Sequence, residues 1–189
     1  MSESKAEKFK RQIAEQYRSI GEFVVQFEHL FYAIKGKIRN LSGNHEEVSI
    51  LLEPLSVKQT NDVLKNLILF KTKDWDKNNP DVVLYLQFIK DLNKLNQDRN
   101  ALIHTTWFIG WSSEKDTDIS EFLGMRFSGQ TNFKTKSFTA EQIDILTEKC
   151  KVFYRIFFTV WSIDYDMIND PPRFVDLWKR DETHFWIKK

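Results

Sequence analysis

Residues 4–38 read SKAEKFKRQIAEQYRSIGEFVVQFEHLFYAIKGKI. Within them Phe9, Ile13, Ile20, Val24, Phe27, Phe31, Ile34 and Ile38 recur at steps of three, four or seven, which is the spacing of one buried stripe on an α-helix. Ser4 with Glu7 has the form of a capping box, so the helix is expected to start there. Ser42-Gly43-Asn44 ends it, and Pro54 closes a short helical stretch around Glu46 to Leu52. A third helix opens at Ser56 and Gln59 and runs to about Phe70. Asn79-Pro80-Asp81 supplies a cap, a first-turn proline and an acid that complements the dipole, so a long fourth helix should reach about Ile103. Thr139 and Gln142 start the last long helix, with Ile143, Leu146, Cys150, Phe153, Phe157 and Trp161 as its core stripe.

Between the last two helices the pattern changes. Thr105–Trp111, Phe122–Phe127 and Asn132–Phe138 are rich in Thr and aromatics and are separated by polar turns, so a small β-hairpin insertion is expected over about residues 105–138. Asp170-Pro171-Pro172 stops the main body. Phe174, Leu177, Trp178, Phe185 and Trp186 then form an apolar tail, about 171–189, that must dock on its own chain or on a partner. The fold class expected is mostly α, a single domain of four or five bundled helices spanning 1–189.

Composition removes several functions. A chain of 189 residues with 28 Lys+Arg and 27 Asp+Glu has a net charge of +1, too little for a protein that coats nucleic acid or membrane through bulk charge. Phosphate recognition must therefore be local. Cys150 is the only cysteine, which excludes an internal disulfide or a multi-cysteine zinc site and suits a reducing compartment. The start Met-Ser-Glu-Ser-Lys lacks the apolar core of a secretory signal, and no later run has the roughly 18 apolar residues of a membrane span. The reading is cytoplasmic, with no membrane partner. No Walker loop, dinucleotide fingerprint, nucleophile elbow or HExxH zinc helix is present. His29, His45, His104 and His184 show no pair at ligand spacing, so neither metal nor cofactor is expected.

The remaining chemistry sits at the end of the fourth helix, in Asp98-Arg99-Asn100-Ala101-Leu102-Ile103-His104. Arg99 falls in the stripe of Leu92, Leu95 and Leu102, where a charge should lose hydration and need an anionic partner. Asn96, Asn100 and His104 follow at intervals of four along one polar line. Arg99 and His104 diverge by roughly 140° on an ideal helix, so they converge only through side-chain reach, fraying of the helix end, or a second copy of the chain.

Arg99-Asn100-xxx-His104 resembles the RNxxxH form of the R-x4-6-H motif of the HEPN superfamily. The pairing of that spacing with an adjacent Asn is expected about 0.01 times by chance in a chain with 8 Arg, 4 His and 11 Asn. Arg39-Asn40 to His45 satisfies a looser form but spans a Ser-Gly-Asn turn, so it is rejected. The chain carries Thr105 where glycine often follows the histidine in that family, and Trp107 matches a frequent His-x-x-Trp continuation. The resemblance implies a helical bundle, commonly dimeric, acting as a metal-independent endoribonuclease in toxin–antitoxin, abortive-infection or RNA-processing systems. It implies a site built across a homodimer interface, with RNA as substrate and an antitoxin or larger defence complex as further partner.

The residues fit that chemistry on their own terms. A histidine with an ordinary pKa near 6.5 suits proton transfer at neutral pH, so His104 is the candidate acid–base. Arg99 offers a fixed fork of donors to phosphate oxygens, and Asn100 can orient ribose or imidazole. Glu28 and Asn96 are candidate supporting residues, Glu28 as the acid that pairs Arg99. Trp107, Arg126, Lys134 and Lys136 are candidate RNA contacts, although solvated charge is the commoner explanation for such cations. Two alternatives stand beside the enzyme: a non-catalytic HEPN-like module that binds nucleotide, RNA or protein, and an adaptor whose Phe185 and Trp186 dock on another protein.

Overall fold

The computed structural model describes residues 3–43, 45–76, 78–128, 132–160, 173–182 and 185–189. The chain is mostly α with a small β insertion. In order it forms α1 (Lys5–Leu41), α2 (Glu46–Leu52), α3 (Val57–Lys71), α4 (Pro80–Ile103), β1 (Thr106–Phe108), β2 (Glu121–Ser128), β3 (Asn132–Thr139), α5 (Ala140–Val160), α6 (Phe174–Leu177), β4 (Trp178–Arg180) and β5 (Trp186–Lys188). Among the described residues no helix is long and apolar enough to cross a membrane.

All three capping boxes form. Glu7 accepts from the Ser4 amide at 3.0 Å while its own amide donates back to Ser4 Oγ at 3.3 Å. Ser56 and Gln59 are reciprocally bonded at the start of α3, and Thr139 and Gln142 do the same for α5. The amide of Asp81 donates to Asn79 Oδ1 at 2.9 Å, so α4 begins on its Asn-Pro signal. Trp161, Asp170-Pro171-Pro172 and His184, singled out above, lie outside the described residues.

The chain forms two compact units. One comprises Met1–Gln26 and Asp98–Glu148, the other Phe27–Gln97 and Lys149–Lys189. Helices α1, α4 and α5 each begin in one unit and end in the other.

The second unit is helical and holds the expected aromatic core. Phe88 on α4 meets Phe153 and Phe157 of α5 edge-on at 5.2 and 5.3 Å. The described part of the tail packs on this core of its own chain. Phe174, Trp178 and Trp186 are buried. Trp186 stacks on Phe174 at 5.2 Å, and β4 pairs antiparallel with β5. Two acids of α4 hold the tail: Asp81 accepts from Arg173 Nε at 3.1 Å and the Val175 amide at 2.8 Å, and Asp91 accepts from Arg180 and from Trp186 Nε1, each at 2.9 Å. Asp81 is thus an anchor as well as a first-turn acid.

The first unit contains the β insertion, which is a three-stranded antiparallel sheet ordered β1-β2-β3 rather than a hairpin alone. The first half of α1 corrects the expected stripe. Phe9, Ile13, Ile20 and Val24 are only half-buried, whereas Gln12, Gln16, Ser19 and Phe23 are buried. The reason is the partner: this face of α1 binds the chain that leads into β2. Gln12 Nε2 donates to Asp118 Oδ2 at 3.1 Å and Gln12 Oε1 accepts from the Ile119 amide at 3.2 Å, while Gln16 Nε2 donates to the Ile119 carbonyl. Buried backbone groups require such partners, and an apolar stripe could not supply them.

Across the sheet Trp107 lies opposite Gly124. The indole meets Phe122 and Phe138 edge-on at 5.2 and 5.5 Å. A Cβ on Gly124 would overlap both the Trp107 ring and the Thr105 methyl. Gly124→Ala is therefore expected to lower the unfolding free energy by about 1–3 kcal/mol through overpacking. Denaturant titration checks this, and an unchanged midpoint would contradict the packing described.

Candidate functional site

Helix α4 delivers Arg99 and Asn100 in its last turn and ends at Ile103, so His104 leaves from the turn that follows. The His104 amide still donates to the Asn100 carbonyl at 3.3 Å. Two further bonds finish the helix: Thr105 Oγ1 donates to the Ala101 carbonyl at 2.5 Å, and Trp107 Nε1 donates to the Leu102 carbonyl at 2.6 Å. Side chains just beyond the helix thereby occupy carbonyls that a helix end leaves open.

Arg99 is half-buried rather than lost in the apolar stripe, so it keeps access to water while Leu92, Leu95 and Leu102 are buried. Its Nη1 donates to Asn100 Oδ1 at 3.3 Å, which places the guanidinium beside the amide that follows it in sequence. His104 is exposed. The three motif residues therefore share one helix end in one compact unit, with both the imidazole and the guanidinium accessible.

Asn96 stands one turn before Asn100 on α4, and Glu28 stands on α1. Glu28 is exposed on α1 and belongs to the other unit. Asn96 also belongs to that unit; it is buried, and its Oδ1 has no hydrogen-bond partner among the described residues. Trp107 is a packing and helix-closing residue, its indole N–H bonded and its ring set between Phe122 and Phe138.

Arg126, Lys134 and Lys136 are exposed and share one sheet face. Register pairs Arg126 with Lys134 and Gly124 with Lys136, and side chains alternate along each strand. This is the face of Trp107, Phe122 and Phe138, the face that closes the end of α4. Like charges directly opposite on neighbouring strands destabilise a sheet. Arg126 and Lys134 make no ion pair with an acid among the described residues, so an anion brought to this face would relieve their repulsion. Lysines on an edge strand also discourage strand-to-strand aggregation, which accounts for Lys134 and Lys136 but not for Arg126 on the central strand.

No group of three or more His, Cys, Asp or Glu side chains stands in a metal-binding arrangement among the described residues. Cys150 is buried, and burial pushes its thiol up to about 12, which makes it a packing residue and not a nucleophile.

Sequence reasoning missed the fastening of the loop between β1 and β2. Asp118 receives Lys8 Nζ at 2.8 Å, Gln12 Nε2 at 3.1 Å and the Ser120 amide at 2.8 Å. Lys8 first, then Ser120 and Gln12, hold its carboxyl well below the ordinary carboxylate range. A depressed folded-state pKa stabilises at pH values above the unfolded-state value and loses that contribution as pH falls toward the folded value. Asp118→Asn should therefore have a lower Tm than wild type at pH 7, with the gap steady down to about pH 5 and shrinking below about pH 4. Melting curves across that range check it; a gap that widens in acid would contradict the charge assignment.

Comparison with protein families, with characterised proteins and with solved structures finds no match to this chain.

Proposed function

We propose that the protein is a metal-independent endoribonuclease of HEPN type, acting as a homodimer and belonging among toxin or antiviral-defence effectors. The observation that supports this most directly is the helix end itself: Arg99 bonded to Asn100, with an exposed His104 in the turn that follows. The cationic sheet face of Arg126, Lys134 and Lys136 in the same compact unit gives the phosphate backbone a landing surface.

The reaction asks for little more than these groups. The 2′-oxygen of a ribose attacks the adjacent phosphorus, the bond from phosphorus to the 5′-oxygen breaks, and the products carry a 2′,3′-cyclic phosphate and a 5′-hydroxyl. One proton must leave the 2′-hydroxyl and one must reach the departing 5′-oxygen. Imidazole suits either transfer near neutral pH, and one histidine from each of two chains divides the two tasks. The Arg99 fork binds the non-bridging oxygens as charge gathers on them. Asn100, bonded to Arg99, holds the guanidinium in place or orients the ribose.

The test is cleavage of a fluorescently labelled RNA by the purified protein in EDTA, with mass spectrometry of the product ends. Cyclic phosphate and 5′-hydroxyl termini are expected; intact RNA, or 3′-hydroxyl with 5′-phosphate termini, would reject the reading. Solution mass tests the dimer. Replacing Arg126, Lys134 and Lys136 together by glutamine should weaken RNA binding and flatten its salt dependence by up to about three units of the log–log slope. An unchanged slope would remove the sheet from the RNA path.

A further inference from the structure

The β1-β2-β3 sheet has a second face, and its chemistry is opposite. Alternation places Phe108, Glu121, Leu123 and Met125 away from the Trp107 cluster. With Trp111 and Ile119 from the preceding loop they line a cleft of about 380 Å³. Sites for small organic ligands have volumes of about 300–1,000 Å³, mostly apolar walls and few polar groups.

The cleft is held in shape by the rest of the unit. Trp111 is 76% exposed, yet its ring rests edge-on against Phe108 at 4.7 Å. Gly110 immediately before it has φ +77, and a Cβ there would lie 2.9 Å from Ile13 Cδ1, so only glycine makes this turn against α1. The other end of the loop is clamped at 118–120 by Gln12, Gln16 and Lys8. An indole that is solvent-exposed on a loop pinned at both its ends is a poor use of apolar surface unless something covers it.

Charge selects the ligand. Glu121 is the single ionised group in the lining, and among the described residues its carboxylate has neither an ion pair nor a hydrogen bond. A neutral apolar occupant would desolvate that carboxylate with no compensation, and an anion would be repelled by it. A cation on an apolar body satisfies both walls: its charge pairs with Glu121, and its flank lies over the faces of Trp111 and Phe108 in cation–π contact. We propose that this cleft binds an amphipathic organic cation, an ammonium or guanidinium carried on an aromatic or alkyl body, with Glu121 pairing the charge and Trp111 and Phe108 covering it. The proposal goes beyond the ribonuclease reading and stands without it. A free amine and a basic side chain of a peptide share this chemistry, and the experiment separates them.

Isothermal titration of the full chain with four probes tests it: benzyltrimethylammonium, N-acetyl-phenylalanyl-arginine amide, benzyl alcohol and phenylacetate. Saturable binding of the cations at about millimolar or tighter is expected, with the neutral and anionic probes at least about tenfold weaker. The tighter of the two cations identifies a free amine or a peptide side chain as the source. Glu121→Gln and Trp111→Ala, both exposed and expected to fold normally, should each weaken the cations by about tenfold. No saturable binding of either cation, equal binding of benzyl alcohol or phenylacetate, or unchanged affinity in Glu121→Gln would each overturn the proposal. The charge series on the wild-type protein alone decides the question if a variant is unstable.

Discussion

His104→Ala is expected to cut RNA cleavage by about 10²–10⁴-fold, the range that one acid–base group contributes. It should leave stability within about 0.5 kcal/mol, because the side chain is exposed beyond the last turn of α4. The combination is what matters. A histidine kept only for its position at the negative end of the helix dipole would show the reverse, a loss of about 0.3–1 kcal/mol of stability and no change in turnover. Arg99→Lys supplies a second comparison. It keeps the positive charge but removes the planar fork, so a rate loss of at least about tenfold with intact RNA binding is expected if the guanidinium grips the reacting phosphate. A lysine variant with full activity would reduce Arg99 to a general electrostatic contributor. Single-turnover cleavage and filter binding of the same RNA measure both, and normal cleavage by His104→Ala would end the catalytic reading.

Why some of this could be read from residues alone, and some could not, is a matter of the range over which the signals act. Capping at Ser4, Ser56, Asn79 and Thr139 is decided within three residues, so each helix start is written locally and forms as expected. The stripe of α1 is different. From Phe27 on, its apolar positions at Phe27, Ile34 and Ile38 are buried, and Phe31 is half-buried. Before that point the buried face is Gln12, Gln16, Ser19 and Phe23, and an apolar pattern does not mark its polar members, because Gln12 and Gln16 bond a segment more than 100 residues away. Three-residue strands such as β4 and β5 carry too few side chains to show alternation, so the pairing of Trp178 with Lys188 is invisible until the tail is seen folded. At the candidate site the letters of the motif identify the helix end. They do not reveal that Arg99 stays half-exposed beside Asn100, or that Trp107 closes the helix.

The largest stability effect is expected at Trp186, close to the end of the chain. Its side chain is 2% exposed, stacked on Phe174 at 5.2 Å and 13°, edge-on to Phe88 at 5.9 Å, and its Nε1 donates to Asp91 at 2.9 Å. Trp186→Ala removes all three contacts and opens a cavity that β4 and β5 cannot fill from three residues each, so a loss of about 3–5 kcal/mol is expected. Against a total of about 5–15 kcal/mol for a typical domain, that is enough to unfold part of the population at 37 °C. Trp186→Phe separates the components: it keeps most of the ring burial and deletes the N–H, leaving one oxygen of a poorly exposed carboxylate without its donor, at about 1–3 kcal/mol. Trp111→Ala is the internal control, since a tryptophan that is 76% exposed should cost no more than about 0.5 kcal/mol. Urea titrations of the three variants rank them. A Trp186→Ala protein as stable as Trp111→Ala would mean that the tail does not rest on α4, and the two carboxylates assigned to hold it, Asp81 and Asp91, would need another explanation.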